Sequence, residues 1–266
     1  MLCEIPIPEF PKKLSDAIRE QVRFFSVTMV VDGNVDRPYT CAGTLSTVAG
    51  VPGIIRARHV WEQLKQEAQI HVLAGDASIS IDPTLISATV PLVTQKLLDT
   101  DADVPDVAFL QIPEHERHRL QAFGKVFYSV DRRRADTTVR SCERQGYWLA
   151  YGAPQRKLDP SRGAAPSYLY ATSIADYTEG EPWDYLAVHL DLDANPDLPS
   201  DLEGFSGGGV WCADWSMKDG GAIHVAEPVL KGVNFWQTAR DNRKIVAHGP
   251  RSIYVALCDE VLRAVA

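Results

Sequence analysis

Asp201-Leu-Glu-Gly-Phe-Ser206-Gly-Gly-Gly-Val-Trp211 isolates one serine among glycines, directly ahead of an apolar run. Glycines at 204, 207, 208 and 209 let the backbone turn sharply with few side chains in the way. Amide N–H groups beside Ser206 can then converge on a substrate oxygen, which is what an oxyanion hole requires. Ser206 is the candidate nucleophile. The same residues also suit a glycine-rich hairpin with an incidental serine, so partners elsewhere in the chain decide between the two.

A serine hydroxyl attacks poorly until a base takes its proton, so the reading needs a histidine and a carboxylate to orient it. Cys41-Ala-Gly-Thr-Leu and Ile54-Ile-Arg-Ala-Arg-His59-Val-Trp form two apolar strands that end at a histidine. Val104-Pro-Asp106-Val-Ala-Phe-Leu110 opens a buried strand on an aspartate, which Asp99, Asp101 and Asp103 do not do. Taken singly, His59 is equally a buried polar residue and Asp106 a strand-end cap.

The chain around these stretches is rich in strands. Residues 13–24 place Leu14, Ile18, Val22 and Phe24 or Phe25 on one face of a short amphipathic helix, with Ser15 as an N-cap. Strands are predicted over 25–31, 39–48, 53–60, 70–73, 77–81, 85–92 and 107–112, with a helical turn or two over 61–68. A second set falls at 125–130, 146–151, 168–174, 185–192, 208–212, 229–236 and 253–256, before a terminal helix over 255–266. Pro113 to Gln121 is polar and reads as the exposed connection between halves. His115 and His118 there have no third ligand nearby and read as a solvated helix rather than a metal site. The fold class is all-β: two six-stranded antiparallel barrels with an N-terminal and a C-terminal helix. The expected divisions are a helical arm over 1–24, a first barrel over 25–120 and a second over 121–266.

With those residues in place, the sequence resembles the trypsin/chymotrypsin-like serine peptidases from about residue 25 onward. Gly43-Thr-Leu followed by Arg56-Ala-Arg-His59 looks like the family's strand pair ending in Ala-x-His. Asp106-Val-Ala-Phe-Leu is similar to its Asp-Ile-Ala-Leu-Leu, and Gly204-Phe-Ser206-Gly-Gly to its Gly-x-Ser-Gly-Gly. The resemblance implies a chymotrypsin-like fold in which Ser206 attacks, His59 shuttles the proton and Asp106 holds the imidazole. The N–H groups of Gly204 and Ser206 would form the oxyanion hole. It also implies that Ser200 lies at the base of the primary pocket and that Asn234, Phe235 and Trp236 line the substrate strand.

Two departures from the family accompany the match. Phe205 stands where secreted members keep an aspartate that pairs with a newly cut N-terminus, so activation by processing is not expected. Val60 follows His59 where many members have a cysteine, so the usual bridge to the region of Cys41 is missing.

Composition sets the remaining bounds. The chain has 266 residues, 45% of them hydrophobic, which suffices for a large core. A formal charge of −8 argues against a nucleic-acid surface. Arg132-Arg133-Arg134 is the one basic run and reads as a solvated loop. Five cysteines, with no CxxC pair, fit reduced thiols in a cytoplasmic protein better than a disulfide frame or a zinc site. No signal peptide is legible at the N-terminus and no apolar run reaches membrane-spanning length.

The expected activity is that of a serine endopeptidase of intracellular, bacterial type. It would need no cofactor or metal, and its partner would be a protein or peptide substrate, one dedicated protein among the options. Gly204-Phe-Ser206-Gly-Gly also satisfies the G-x-S-x-G elbow of an esterase, but that fold needs its acid and histidine after the serine. A non-catalytic binding module on the same fold is the remaining alternative.

Overall fold

The computed structural model describes residues 10–31, 39–67, 69–74, 77–91, 105–135, 146–155, 168–179, 183–190, 202–217, 223–237 and 244–266. Helix α1 (Phe10–Val22) repeats Leu14, Ile18 and Val22 every fourth residue, which puts them on one face. All three are buried, and each side chain contributes roughly 1.5–3 kcal/mol by leaving water. Arg19 of the same helix donates to the carbonyl of Leu169, 2.7 Å away, tying the arm to the second half.

The first half is a curled, largely antiparallel sheet. It contains β1 (Ser26–Val31), β2 (Tyr39–Val48), β3 (Val51–Arg56), β4 (Ile70–Ala74), β5 (Ala77–Ile81), β6 (Ser87–Thr89) and β7 (Ala108–Gln111). Their order is β5-β4-β1-β2-β3-β7-β6. Helices α2 (Arg58–Leu64) and α3 (Glu114–Ala122) follow β3 and β7. An eighth strand, β8 (Tyr128–Ser129), runs parallel to β2 and leads into α4 (Val130–Arg134).

The second half closes on itself. Strands β9 (Tyr147–Gly152), β10 (Tyr168–Thr178), β11 (Tyr185–Leu190) and β12 (Gly209–Ala213) come before a small hairpin, β13 (Trp215–Met217) and β14 (Ile223–Val225). Strands β15 (Val229–Gln237) and β16 (Lys244–His248) complete a six-stranded barrel in the order β10-β11-β16-β15-β12-β9. A π-helical turn over Ser252–Leu257 then runs into α5 (Cys258–Val265).

Period-two alternation sorts the side chains into three cores. Ile54 and Leu110 face the interior of the first sheet, whereas their neighbours Ile55 and Phe109 face outward. Trp148 and Ala150 fill the second barrel, while Leu149 and Tyr151 point away from it. The outward residues of both halves meet α1 and the C-terminal helical segment in one shared core, so the two halves pack across an apolar seam.

Several sequence expectations are corrected. Only the second half forms a closed six-stranded barrel; the first is an open path of seven strands plus β8 among the described residues. The strand expected over 53–60 stops at Arg56, because α2 begins at Arg58. The strand expected over Ile253–Ala256 is helical. Its apolar, β-branched run suggests extension, but the buried Asp184 carboxylate accepts the N–H groups of Arg251 (3.0 Å) and Ser252 (2.7 Å) and starts a helix there. β16 carries little strand signal of its own, being five residues long with a polar residue at each end.

The arginine run is helical rather than a loop: Ser129 Oγ caps it, Arg132 and Arg133 pair with Glu227, and Arg134 pairs with Asp259. His115 and His118 lie on α3 and pair with Glu116 and Glu114 of their own helix.

Candidate active site

His59 is the second residue of α2. The first N–H groups of a helix have no partner within it, and the one on His59 donates to Asp106 Oδ1 at 2.7 Å. Asp106 Oδ2 lies 2.5 Å from His59 Nδ1. One carboxylate therefore caps the helix and grips the ring of the same residue. Since Nδ1–H faces a carboxylate, Nε2 is left as the basic nitrogen. The ring is 45% exposed and the carboxylate 20%, so the pair sits at a surface with its acid sheltered. Burial alone would raise the Asp106 carboxyl, but the hydrogen bonds and charge of His59, with a smaller contribution from His248, hold it below its ordinary range.

Ser206 occupies the turn ahead of β12. Gly204 and Gly207 have φ of +94° and +89°, a left-handed conformation that favours glycine. Space enforces the same choice: a Cβ on Gly204 would lie 2.0 Å from the carbonyl oxygen of Ala153, and one on Gly207 2.3 Å from that of Ala42. The loop's amides divide into two sets. Those of Phe205, Gly207 and Gly208 donate to the carbonyls of Leu202 (3.0 Å), Asn234 (2.7 Å) and Phe205 (2.9 Å). Those of Gly204 and Ser206 have no acceptor among the described residues. They are the two donors expected for an oxyanion hole.

The loop meets the first sheet directly. Ala42 N–H donates to the carbonyl of Ser206 at 3.2 Å, and β2 pairs with β3, which leads into α2. A Cβ on Gly207 would also come within 2.9 Å of the Arg56 Cβ, three residues before His59. The structure thus brings the serine turn to the end of the sheet that carries His59 and Asp106.

No protein-family model and no curated protein matches the sequence. Solved structures do. The active form of the Rv3671c protease of M. tuberculosis has a TM-score of 0.52 at 12% identity, covering 94% of this chain and 86% of that one. The serine endoprotease of Yersinia pestis gives 0.51 at 16%, covering 94% and 65%. The HtrA-type protease AlgW with a tripeptide gives 0.51 at 12%, covering 94% and 63%. The fold is that of the trypsin/chymotrypsin-like serine proteases.

Within this protease fold, Phe205 is buried and its ring stacks on Tyr170, with centroids 5.3 Å apart. It also lies flat over Gly152, where a Cβ would come within 2.5 Å of the ring. A ring thus packs at the position where the sequence resemblance sets Phe205 against an aspartate. Cys41, Cys212 and Cys258 are buried free thiols.

The substrate-strand residues differ in what they present. Asn234 is buried, and its carboxamide donates to the carbonyl of Tyr151 at 3.1 Å. Its backbone holds the serine turn from both sides, accepting from the N–H of Gly207 and donating to the carbonyl of Gly208. Phe235 sits at a bulge in β15 and packs against the shared core and the interior of the first sheet. Trp236 is 57% exposed. Ser200, Asp99, Asp101 and Asp103 lie outside the described residues.

Two contributors escape a reading of the sequence. The backbone tether from Ala42 carries no side-chain signal. His248, buried against Phe235 and a minor influence on the Asp106 carboxyl, ends the alternating run Lys244-Ile-Val-Ala-His248 just before Gly-Pro, which is its only sequence signature.

Proposed function

We propose that this protein is a serine endopeptidase that works through Ser206, His59 and Asp106. His59 Nε2 takes the hydroxyl proton as Ser206 Oγ attacks the scissile carbonyl. The developing oxyanion is met by the N–H groups of Gly204 and Ser206. The imidazolium returns its proton to the leaving amine, which departs to leave an acyl-enzyme, and water then repeats the sequence in reverse. Asp106 fixes the Nδ1–H tautomer and stabilises the imidazolium throughout.

One observation carries the reading: the division of the loop amides, in which the two that an oxyanion would need are the two left without an acceptor among the described residues. A glycine-rich hairpin with an incidental serine has no reason to sort its donors in this way. The Asp106–His59 grip supports it from the other half of the molecule.

The substrates are peptides, and we favour a restricted set of intracellular proteins. The support for the intracellular setting is that the described cysteines are free thiols, as suits a reducing compartment. The test is labelling by a fluorophosphonate with mass-spectrometric mapping of the site, followed by turnover of a peptide library. Label on Ser206, lost in His59→Ala, is the expected result. Absence of label on Ser206 in a folded protein would overturn the reading in favour of a binding module.

A further inference from the structure

Arg56 ends β3, shortly before His59, and it is fully buried. A guanidinium stays charged in proteins and is almost never fully buried unless it is paired. Alternation gives the direction of this one. Ile54 faces the interior of the first sheet and Ile55 the shared core, so Arg56 turns inward beside Ile54. Its Nη1 accordingly donates to Met29 Sδ, 3.3 Å away in that interior.

A thioether is a weak acceptor, and it meets only one of the three nitrogens. Nε and Nη2 are buried without a hydrogen-bond partner among the described residues, so no carboxylate of those residues meets either atom. The two are chemically a pair. Nε–H and Nη2–H leave one edge of the guanidinium side by side, as the fork that takes two oxygens of a carboxylate or of a tetrahedral oxyanion.

Neighbouring strands add a further donor but no acceptor. Met29 of β1 pairs with Cys41 of β2, and the Cys41 thiol is turned to the Met29 carbonyl at 3.7 Å. Tyr39, two residues before Cys41 on the same strand, faces the same side and packs on the same core. Its hydroxyl is likewise buried without a partner among the described residues. Burial raises that hydroxyl to about 12, so it remains a donor.

Water can answer unpaired donors, but it leaves the charge uncompensated. Burying a lone cation costs far more than burying a neutral polar group, and a buried charge left without its partner is strongly destabilising. An anion answers both the fork and the charge.

We propose that Arg56 is the centre of an occluded binding site for a small oxyanion: a carboxylate, sulfate or phosphate group. Nε–H and Nη2–H donate to two of its oxygens, and the Tyr39 hydroxyl donates from the same side of the sheet. The anion is taken up as the chain folds and exchanges slowly, because Arg56 has no exposed surface. Its charge neutralises the guanidinium and holds the end of β3 in place. The serine turn packs on that end, where a Cβ on Gly207 would lie 2.9 Å from the Arg56 Cβ. The site does not depend on the chemistry proposed for Ser206.

The test is urea unfolding at constant ionic strength, with sodium chloride replaced stepwise by sodium sulfate, phosphate or acetate. Sulfate and phosphate strengthen burial in any protein by being excluded from its surface. Wild type is therefore compared with Arg56→Met, which keeps an unbranched apolar chain and removes the charge and the fork. The wild-type midpoint should climb with the logarithm of concentration for at least one oxyanion, more steeply than that of Arg56→Met. In chloride alone Arg56→Met should have the higher midpoint, since it buries no unpaired charge. Parallel responses of the two proteins to all three oxyanions would overturn the proposal and leave Arg56 with water only.

A second measurement needs only the wild-type chain. In protein labelled with 15N-arginine, the Arg56 Nε–H signal, assigned by through-bond correlation to its backbone, should exchange slowly with solvent. Its shift should differ between a sample refolded in chloride alone and one refolded in the oxyanion that raises the midpoint. The same shift after refolding in chloride, sulfate, phosphate and acetate would overturn the proposal.

Discussion

The two halves of the molecule hold their shares of the site by opposite means. In the first sheet the holding is done by one side chain: the Asp106 carboxylate reaches both the backbone and the ring of His59. In the second barrel it is done by backbone and packing. Ser206 is positioned by glycines with positive φ, by carbonyls of Asn234 and Leu202, and by the buried Phe205 ring. On the proposed reading His59 is a base that has to stay free to exchange protons, which fits a grip at one nitrogen only. The proposed oxyanion hole would have to be rigid before charge develops, and glycine backbone wedged against neighbouring carbonyls would supply that rigidity.

The contrast predicts that chemistry and stability separate between the halves. The largest effect belongs to Ser206→Ala, expected to cost about 10⁶-fold in peptide turnover while leaving the fold intact. Ser206→Ala combined with His59→Ala should lose no more, because these residues act as a unit. A clear further loss in the double variant would mean that they act independently.

Asp106→Asn comes next. The amide still accepts from the His59 N–H but presents a donor to Nδ1, favouring the wrong tautomer, at a cost of about 10⁴-fold in kcat. Thermal stability should change little by comparison. Large unfolding with near-normal specific activity of the folded fraction would mean that Asp106 is a structural cap and not an orienting group.

Phe205→Ala should show the opposite profile. Removing a buried ring costs about 3–5 kcal/mol, read as a lower midpoint in urea, and the labelling rate of Ser206 should fall because the loop loses its anchor. If stability held and labelling were unaffected, the glycines alone would be positioning the serine.

A smaller effect follows from His248. Its folded-state value of about 4 lies below the ordinary 6.5. The unfolded chain therefore takes up this proton first as pH falls. Stability is fully present above about 6.5 and declines toward pH 4, by about 3 kcal/mol in all. His248→Phe should flatten that part of the stability curve, measured by denaturant titration across the range. Asp106 contributes in the same sense but lower down, since its value is depressed below 3.8. The smallest effect is none: dithiothreitol should leave turnover unchanged, because Cys41, Cys212 and Cys258 are already free thiols.

Much of this architecture is legible in the sequence because it is local. The glycines around Ser206 announce a turn that side chains cannot make. The spacing of Leu14, Ile18 and Val22 announces a buried helix face, and the apolar, β-branched run over 39–48 announces a strand that the structure reproduces as β2. The order of the motifs around His59, Asp106 and Ser206 points to the protease fold. Where local signals compete, they mislead. Ser252-Ile-Tyr-Val-Ala looks extended by propensity, yet a carboxylate 68 residues away in sequence caps it as a helix.

What only the tertiary structure decided is what stands opposite each face. Alternation along β16 tells that His248 and Ala247 point to different sides, but nothing in Lys-Ile-Val-Ala-His says that one side holds the rings of Tyr185 and Phe235. Likewise, no residue type at Ala42 advertises a backbone bond to Ser206, since every non-proline residue carries the same donor. Phe205 over Gly152 and the Tyr128–Tyr254 hydroxyl contact at 2.8 Å join segments far apart in the chain. Period and propensity act over a few residues and were therefore written in the sequence. The partners across the seam are chosen by how two curled sheets pack, and that choice exists only once the chain has folded.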